Sequence, residues 1–190
     1  TGFSPGNGNS ASQTLYNTGT AIETATYQIE SVAAGCSGSP EFYMIPVAPA
    51  PSFVVDPTSQ TICSGNSTSI GLTPSSPLTT FSWSASLTSG NITGFTPGAG
   101  TGISQTLTDL ELTPGSVTYA ITGSIGTCLS QPAYCLITVN PSPAITNSGT
   151  VSDMCSGSYT GFTINANVAS TQFTWTATGN SPDLAGFGPG

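Results

Sequence analysis

Apolar and polar residues alternate along this chain in short runs, and Gly, Pro, Asn and Ser separate the runs. Alternation with a period of two puts every second side chain on one face of an extended strand, the pattern of a sheet with one face buried. The runs predict strands at Thr61–Cys63, Thr68–Leu72, Thr79–Ala85, Ile103–Thr108, Ser116–Thr122 and Tyr134–Val139. Phe81 and Trp83 lie two apart and share a face, as do Val117 and Tyr119. Large aromatic side chains on central strands stabilise most when they point inward, so Phe81, Trp83, Tyr119, Phe173 and Trp175 are the expected core aromatics. Six or seven short strands in about 92 residues, with turn residues between them, describe an all-β fold: an immunoglobulin-like β-sandwich.

The same pattern occurs twice. Thr1-Gly2-Phe3-Ser4-Pro5-Gly6 recurs as Thr93-Gly94-Phe95-Thr96-Pro97-Gly98 and again as Ala185-Gly186-Phe187-Gly188-Pro189-Gly190, a period of 92 residues. Without a gap, Ser12-Gln13-Thr14-Leu15 matches Ser104-Gln105-Thr106-Leu107, Cys36 matches Cys128, Cys63 matches Cys155, and Phe81-Ser82-Trp83 matches Phe173-Thr174-Trp175. A fixed period of this length marks tandem structural units. Val47-Ala48-Pro49-Ala50-Pro51 and Val139-Asn140-Pro141-Ser142-Pro143 read as linkers, because Pro ends a strand and stiffens the chain. The expected organisation is therefore one complete repeat at 52–143. The C-terminal half of a repeat precedes it at 1–51, and the N-terminal half of another follows at 144–190. A half-sandwich exposes an apolar face and a bare edge. A longer tandem chain, a neighbouring copy or the chain's own two halves meeting would cover them, and the first two give a head-to-tail array.

Composition narrows the function. The chain has no Lys, Arg or His and eight acidic residues, a formal charge of −8. Nucleic-acid binding needs cations to displace phosphate counterions, so it is excluded as an expectation. No apolar run approaches the roughly 20 residues of a bilayer-spanning helix, so membrane insertion is not expected either. Catalysis by a tuned base beside a nucleophile has no His or Lys to use, and the carboxylates are scattered, so no catalytic residue and no cofactor are expected. Asp109 and Glu111 form the close acidic pair and read as solvated surface rather than a cation site, and no metal ligands are expected. Asn66-Ser67-Thr68 and Asn91-Ile92-Thr93 are N-x-[ST] sequons in expected turn or strand-edge positions, which makes Asn66 and Asn91 candidate glycan acceptors.

Five cysteines remain. One disulfide per repeat predicts Cys63 with Cys128 inside the chain, and Cys155 with Cys36 of the neighbouring repeat. Cys135 aligns with Tyr43 and is expected unpaired.

Cys63-Ser64-Gly65, Phe81-Ser82-Trp83, Gly94-Phe95-Thr96-Pro97-Gly98, Ile103-Ser104-Gln105-Thr106-Leu107, Val117-Thr118-Tyr119, Cys128 and Val139-Asn140-Pro141-Ser142-Pro143 resemble the PKD-like repeats of Bacteroidota surface proteins. The resemblance implies immunoglobulin-like sandwiches strung along large secreted or cell-surface polypeptides, with no catalytic residues to carry over. Two functions follow as expectations. The first is a structural unit of an extracellular filament whose partners are copies of itself, head to tail. The second is an adhesin or carbohydrate-binding stalk with loop aromatics such as Phe95 or Tyr134 as contacts.

Overall fold

The computed structural model describes residues 4–147, 149 and 151–186, and these contain strands, turns and bends without a helix. The first and third copies of the Gly-Phe-x-Pro-Gly motif fall partly outside the described residues. In the N-terminal segment, β1 (Glu23–Ile29) pairs antiparallel with β4 (Glu41–Val47), and β2 (Val32–Ala33) pairs with β3 (Cys36–Ser37) at the tip.

A two-layered sandwich follows. Its strands are β5 (Phe53–Asp56), β6 (Ser59–Cys63), β7 (Ile70–Pro74), β8 (Thr80–Ser89), β9 (Ile92–Thr93), β10 (Gly98–Ala99), β11 (Gly102–Ile103), β12 (Thr108–Asp109), β13 (Gly115–Ile125), β14 (Cys128–Leu129) and β15 (Ala133–Asn140). One sheet runs β10-β8-β13-β15-β6, with β14 hairpinned onto β13, and the other runs β11-β7-β5. All neighbours are antiparallel except β15 and β6, which run parallel. The fold is the immunoglobulin-like β-sandwich that the alternation predicts.

The core lies between the sheets. Val117, Tyr119 and Ile121 of β13 and Cys135, Ile137 and Val139 of β15 are fully buried, and Ile70, Leu72, Ile103 and Leu107 face them. Removing each such side chain from water contributes about 1.5–3 kcal/mol. Phe81 and Trp83 point inward as expected, and Phe81 meets the Phe53 ring edge-on at 5.1 Å between centroids. Two glycines of the repeated motif are dictated by this packing. A Cβ on Gly98 would stand 2.5 Å from Cζ2 of Trp83. Gly94 has φ +98°, and a Cβ there would stand 2.0 Å from the Thr106 carbonyl oxygen.

Most strand boundaries differ from the alternation by a few residues, and some differ for identifiable reasons. Phe53–Asp56 is a strand although prolines bracket it, because it pairs with β7 from Phe53↔Pro74 to Asp56↔Gly71. β8 extends to Ser89 and β13 to Ile125, since their outer faces carry polar residues that tolerate water. The expected strand Ile103–Thr108 splits into β11 and β12, which pair with different neighbours. Between them the buried Thr68 hydroxyl donates to the Ile103 carbonyl and accepts the Gln105 N–H, so side chains replace part of the ladder.

The chain crosses the sandwich end to end. Phe53 enters beside Gly123, at the pole where Thr80 pairs with Ser124. Asn140 leaves at the other pole, beside Cys63 and near Gly115.

Candidate functional site: two open apolar surfaces

The N-terminal segment repeats the strand register and the glutamine contacts of half of the sandwich. Gln105 accepts the Thr96 N–H at Oε1, donates from Nε2 to the Thr96 carbonyl, and accepts the Tyr119 hydroxyl at 2.8 Å. Ninety-two residues earlier Gln13 makes the same contacts with Ser4 and Tyr27, the last at 2.9 Å. The register also repeats. Tyr27↔Tyr43 stands where Tyr119↔Cys135 stands, and Ala33↔Cys36 where Ile125↔Cys128 stands. What differs is the covering. Ile137 is fully buried while its mate Ile45 is 43 % exposed, and Ile121 is buried while its mate Ile29 is 48 % exposed. β13 has β8 along its second edge, whereas β1 pairs only with β4 among the described residues.

The C-terminal segment corresponds in sequence to the other half and repeats two of its contacts. Ile145 bridges Ala166 in the register of Phe53 with Pro74, and the Ser158 N–H donates to the Cys155 carbonyl as the Asn66 N–H does to Cys63. Asn147 stands where the sandwich has Val55, and its side chain donates to the Thr163 carbonyl and accepts the Asn165 N–H. Beyond that bridge the described residues form no paired strand. Phe173 is only partly buried and Trp175 is 51 % exposed, against 9 % for its mate Trp83. The expectation that Phe173 and Trp175 are core aromatics is therefore corrected within this chain. Trp83 has Ile121 of β13 beside it in the sheet, and no described residue pairs with Trp175 in this way.

By the 92-residue register the two surfaces correspond to the two parts that face each other in the sandwich. What the N-terminal segment exposes is the counterpart of β13 and β15, and what the C-terminal segment exposes is the counterpart of β6, β7 and β8. Residues 1–51 and 60–143 match the PKD-like domain family. The chain belongs to that family. No curated protein and no solved structure matches it. PKD-like domains are usually extracellular and typically non-catalytic, and no helix among the described residues is long and apolar enough to cross a membrane.

Within this PKD-like chain Cys63 and Cys128 do not pair with each other. All five are free thiols, four of them exposed. Cys63 sits opposite Asn140 at the exit pole, and Cys128 sits opposite Ile125 at the entry pole. The length of β13 separates them, roughly 33 Å at about 3.3 Å per residue. Bridged cysteines need Cα atoms within about 7 Å, so Cys63 and Cys128 cannot bond within one sandwich. By the 92-residue register Cys155 is the counterpart of Cys63 and Cys36 that of Cys128.

Cys135 has a different character. It is fully buried, its thiol donates to the Pro57 carbonyl at 3.2 Å, and burial pushes its pKa up to about 11. Tyr119 opposite is pushed up to about 12, by burial first and then by the nearby Cys135. A thiol held protonated is neither nucleophile nor metal ligand at neutral pH.

Asp109 corrects another expectation. It is buried rather than solvated, and its carboxylate accepts the Glu111 N–H at 2.9 Å and the Gly115 N–H at 3.2 Å, tying the loop before β13. Its repeat mate Asn17 likewise accepts the Gly19 N–H. No cluster of metal-ligating side chains occurs among the described residues. Both sequon asparagines are exposed, but the Thr68 hydroxyl of the Asn66 sequon is committed inside the core, while Thr93 of the Asn91 sequon is exposed.

Period-two reading missed the contact between the segments. Ser76 is buried at the entry pole, and its hydroxyl donates to the Thr20 carbonyl at 2.5 Å. Pro49 and Pro51 between them are buried as well. A lone serine in a turn gives no signal of such a junction.

Proposed function

We propose that this chain is a structural unit of an extracellular head-to-tail filament, non-enzymatic, in which residues 144–190 of one unit and residues 1–51 of the next form a sandwich like the complete one at 52–143. The next unit is either a separate copy or the continuation of a longer chain. The observation that carries this reading is the pair of open surfaces in matching register. Transposing the sandwich pairing by 92 residues sets Ile29 opposite Trp175 and Tyr27 opposite Ala177, as Ile121 faces Trp83 and Tyr119 faces Ala85. It also sets β4 parallel to the stretch ending at Cys155, as β15 lies parallel to β6. The two surfaces of one chain lie beyond opposite poles of the central sandwich, which keeps them from closing on each other. Contacts that cannot close into a ring propagate.

Electron microscopy of the purified protein tests the reading, together with its mass under denaturing, reducing conditions. Filaments whose dissociated chain is 19.0 kDa identify separate copies, and filaments of a larger chain identify a continuous one. A compact 19.0 kDa monomer without filaments overturns the proposal.

The adhesin reading has less to stand on. Phe95 packs against the core rather than facing a ligand, while Tyr134 is exposed on the outer face of β15. Glycan-array binding that Tyr134→Ala abolishes is the result that favours it.

A further inference from the structure

The cysteines that cannot bond within a sandwich stand where two sandwiches meet. Each complete sandwich carries one exposed cysteine at its exit pole, Cys63, and one at its entry pole, Cys128. The 92-residue register gives Cys155 to the next exit pole and Cys36 to the preceding entry pole. The chain shows how such poles join. At the junction between the N-terminal segment and the sandwich, the loop holding Thr20 touches Ser76, and Pro49 and Pro51 are buried. The loops in that contact are tied to the cysteine positions. Thr20 lies in the loop whose counterpart begins at Asp109, and the Asp109 N–H donates to the hydroxyl of Ser64, next to Cys63. Ser76 opens the turn into β8, whose Thr80 hydroxyl lies 2.9 Å from that of Ser124, on the hairpin that carries Cys128. At this junction, then, the loop beside an exit-pole cysteine position touches the turn that leads to the hairpin of an entry-pole cysteine.

We propose that Cys63 forms a disulfide with Cys36 of the following unit, and Cys155 with Cys128 of the following unit, so that each bond crosses a junction and none closes within a sandwich. This rests on the filament reading above. In each bond two thiols lose two protons and two electrons as the S–S bond forms. A small-molecule disulfide such as oxidised glutathione accepts them and leaves as two thiols. Two staples then join each unit to the next, and Cys135 takes no part.

The test oxidises the 190-residue chain with oxidised glutathione, images it by electron microscopy, and separates it by denaturing, non-reducing electrophoresis. The wild type should give filaments and a ladder at multiples of 19.0 kDa, collapsing on reduction. Cys63→Ser with Cys128→Ser breaks both staples and should reduce the ladder to monomer. Cys36→Ser with Cys63→Ser leaves the Cys155–Cys128 staple and should keep the ladder. Pairing within sandwiches reverses these two results, and that reversal overturns the proposal. Filaments whose chains run as monomers without reductant also overturn it, while leaving the filament reading in place. Loss of filaments in the wild type removes both.

Discussion

The central sandwich and its two flanking segments are built from the same repeat, yet one is a closed core and the others are open faces. Ile137 and Ile45 sit at equivalent positions on equivalent strands in equivalent register, and only the first is out of water. The N-terminal segment retains its strand pairing and its glutamine clamp without a covering sheet. The C-terminal segment retains a bridge and a turn and little else. Local pairing thus survives where a hairpin can satisfy its own backbone groups, and the stretch around Trp175, without such a hairpin among the described residues, forms no paired strand.

The largest test of this difference is truncation of the paired isoleucines. Ile137→Ala should cost about 2–5 kcal/mol in denaturant unfolding of the dissociated chain, because it leaves a cavity in a closed core. Ile45→Ala should cost less than about 1 kcal/mol in the same state and approach the Ile137→Ala cost in the assembled state. Equal costs in the dissociated chain would contradict the comparison.

A pH titration of the closed core comes next. Cys135 and Tyr119 have folded pKa values near 11 and 12, above ordinary values of 9.0 and 10.0, so the fold holds their protons more tightly than the unfolded chain. The stability they confer is full below about pH 9 and is lost as pH rises through 11 to 12, on the order of 2–3 kcal/mol per group. Chemical denaturation at pH 8 and at pH 11.5 measures it, and Cys135→Ala should remove the part that begins near pH 9.

Gly98→Ala should cost about 1–3 kcal/mol, because its methyl group meets the Trp83 indole. The smallest effect separates the two clamps. Tyr119→Phe loses a hydroxyl bond worth about 1 kcal/mol on a fully buried residue, and Tyr27→Phe should lose less than half of that because Tyr27 is itself only half-buried. Thermal unfolding of the two variants checks both.

Much of the fold was legible because alternation reports one thing directly, which face of a strand is apolar. It located β6, β7, β8, β13 and β15 and the aromatics Phe81, Trp83 and Tyr119. It failed where side chains stand in for the ladder, as at Thr68 and Gln105, and where a strand lies between prolines, as at Phe53–Asp56. The repeat exposed the equivalence of the four cysteines but carried no information on which pole each occupies. Only the lengths of β13 and β15 show that Cys63 and Cys128 lie too far apart to bond. Asp109 looked solvated because a charge in a turn ordinarily is, and the backbone N–H groups that hold it are invisible in the sequence.

The most direct test of the filament account is amide hydrogen exchange of the protein in its assembled and dissociated states. Protection of β1, β4 and residues 172–178 should rise on assembly to the level of β13, β15 and β8, which should change little. Flanking amides that exchange equally fast in both states would contradict the claim that one unit closes the next.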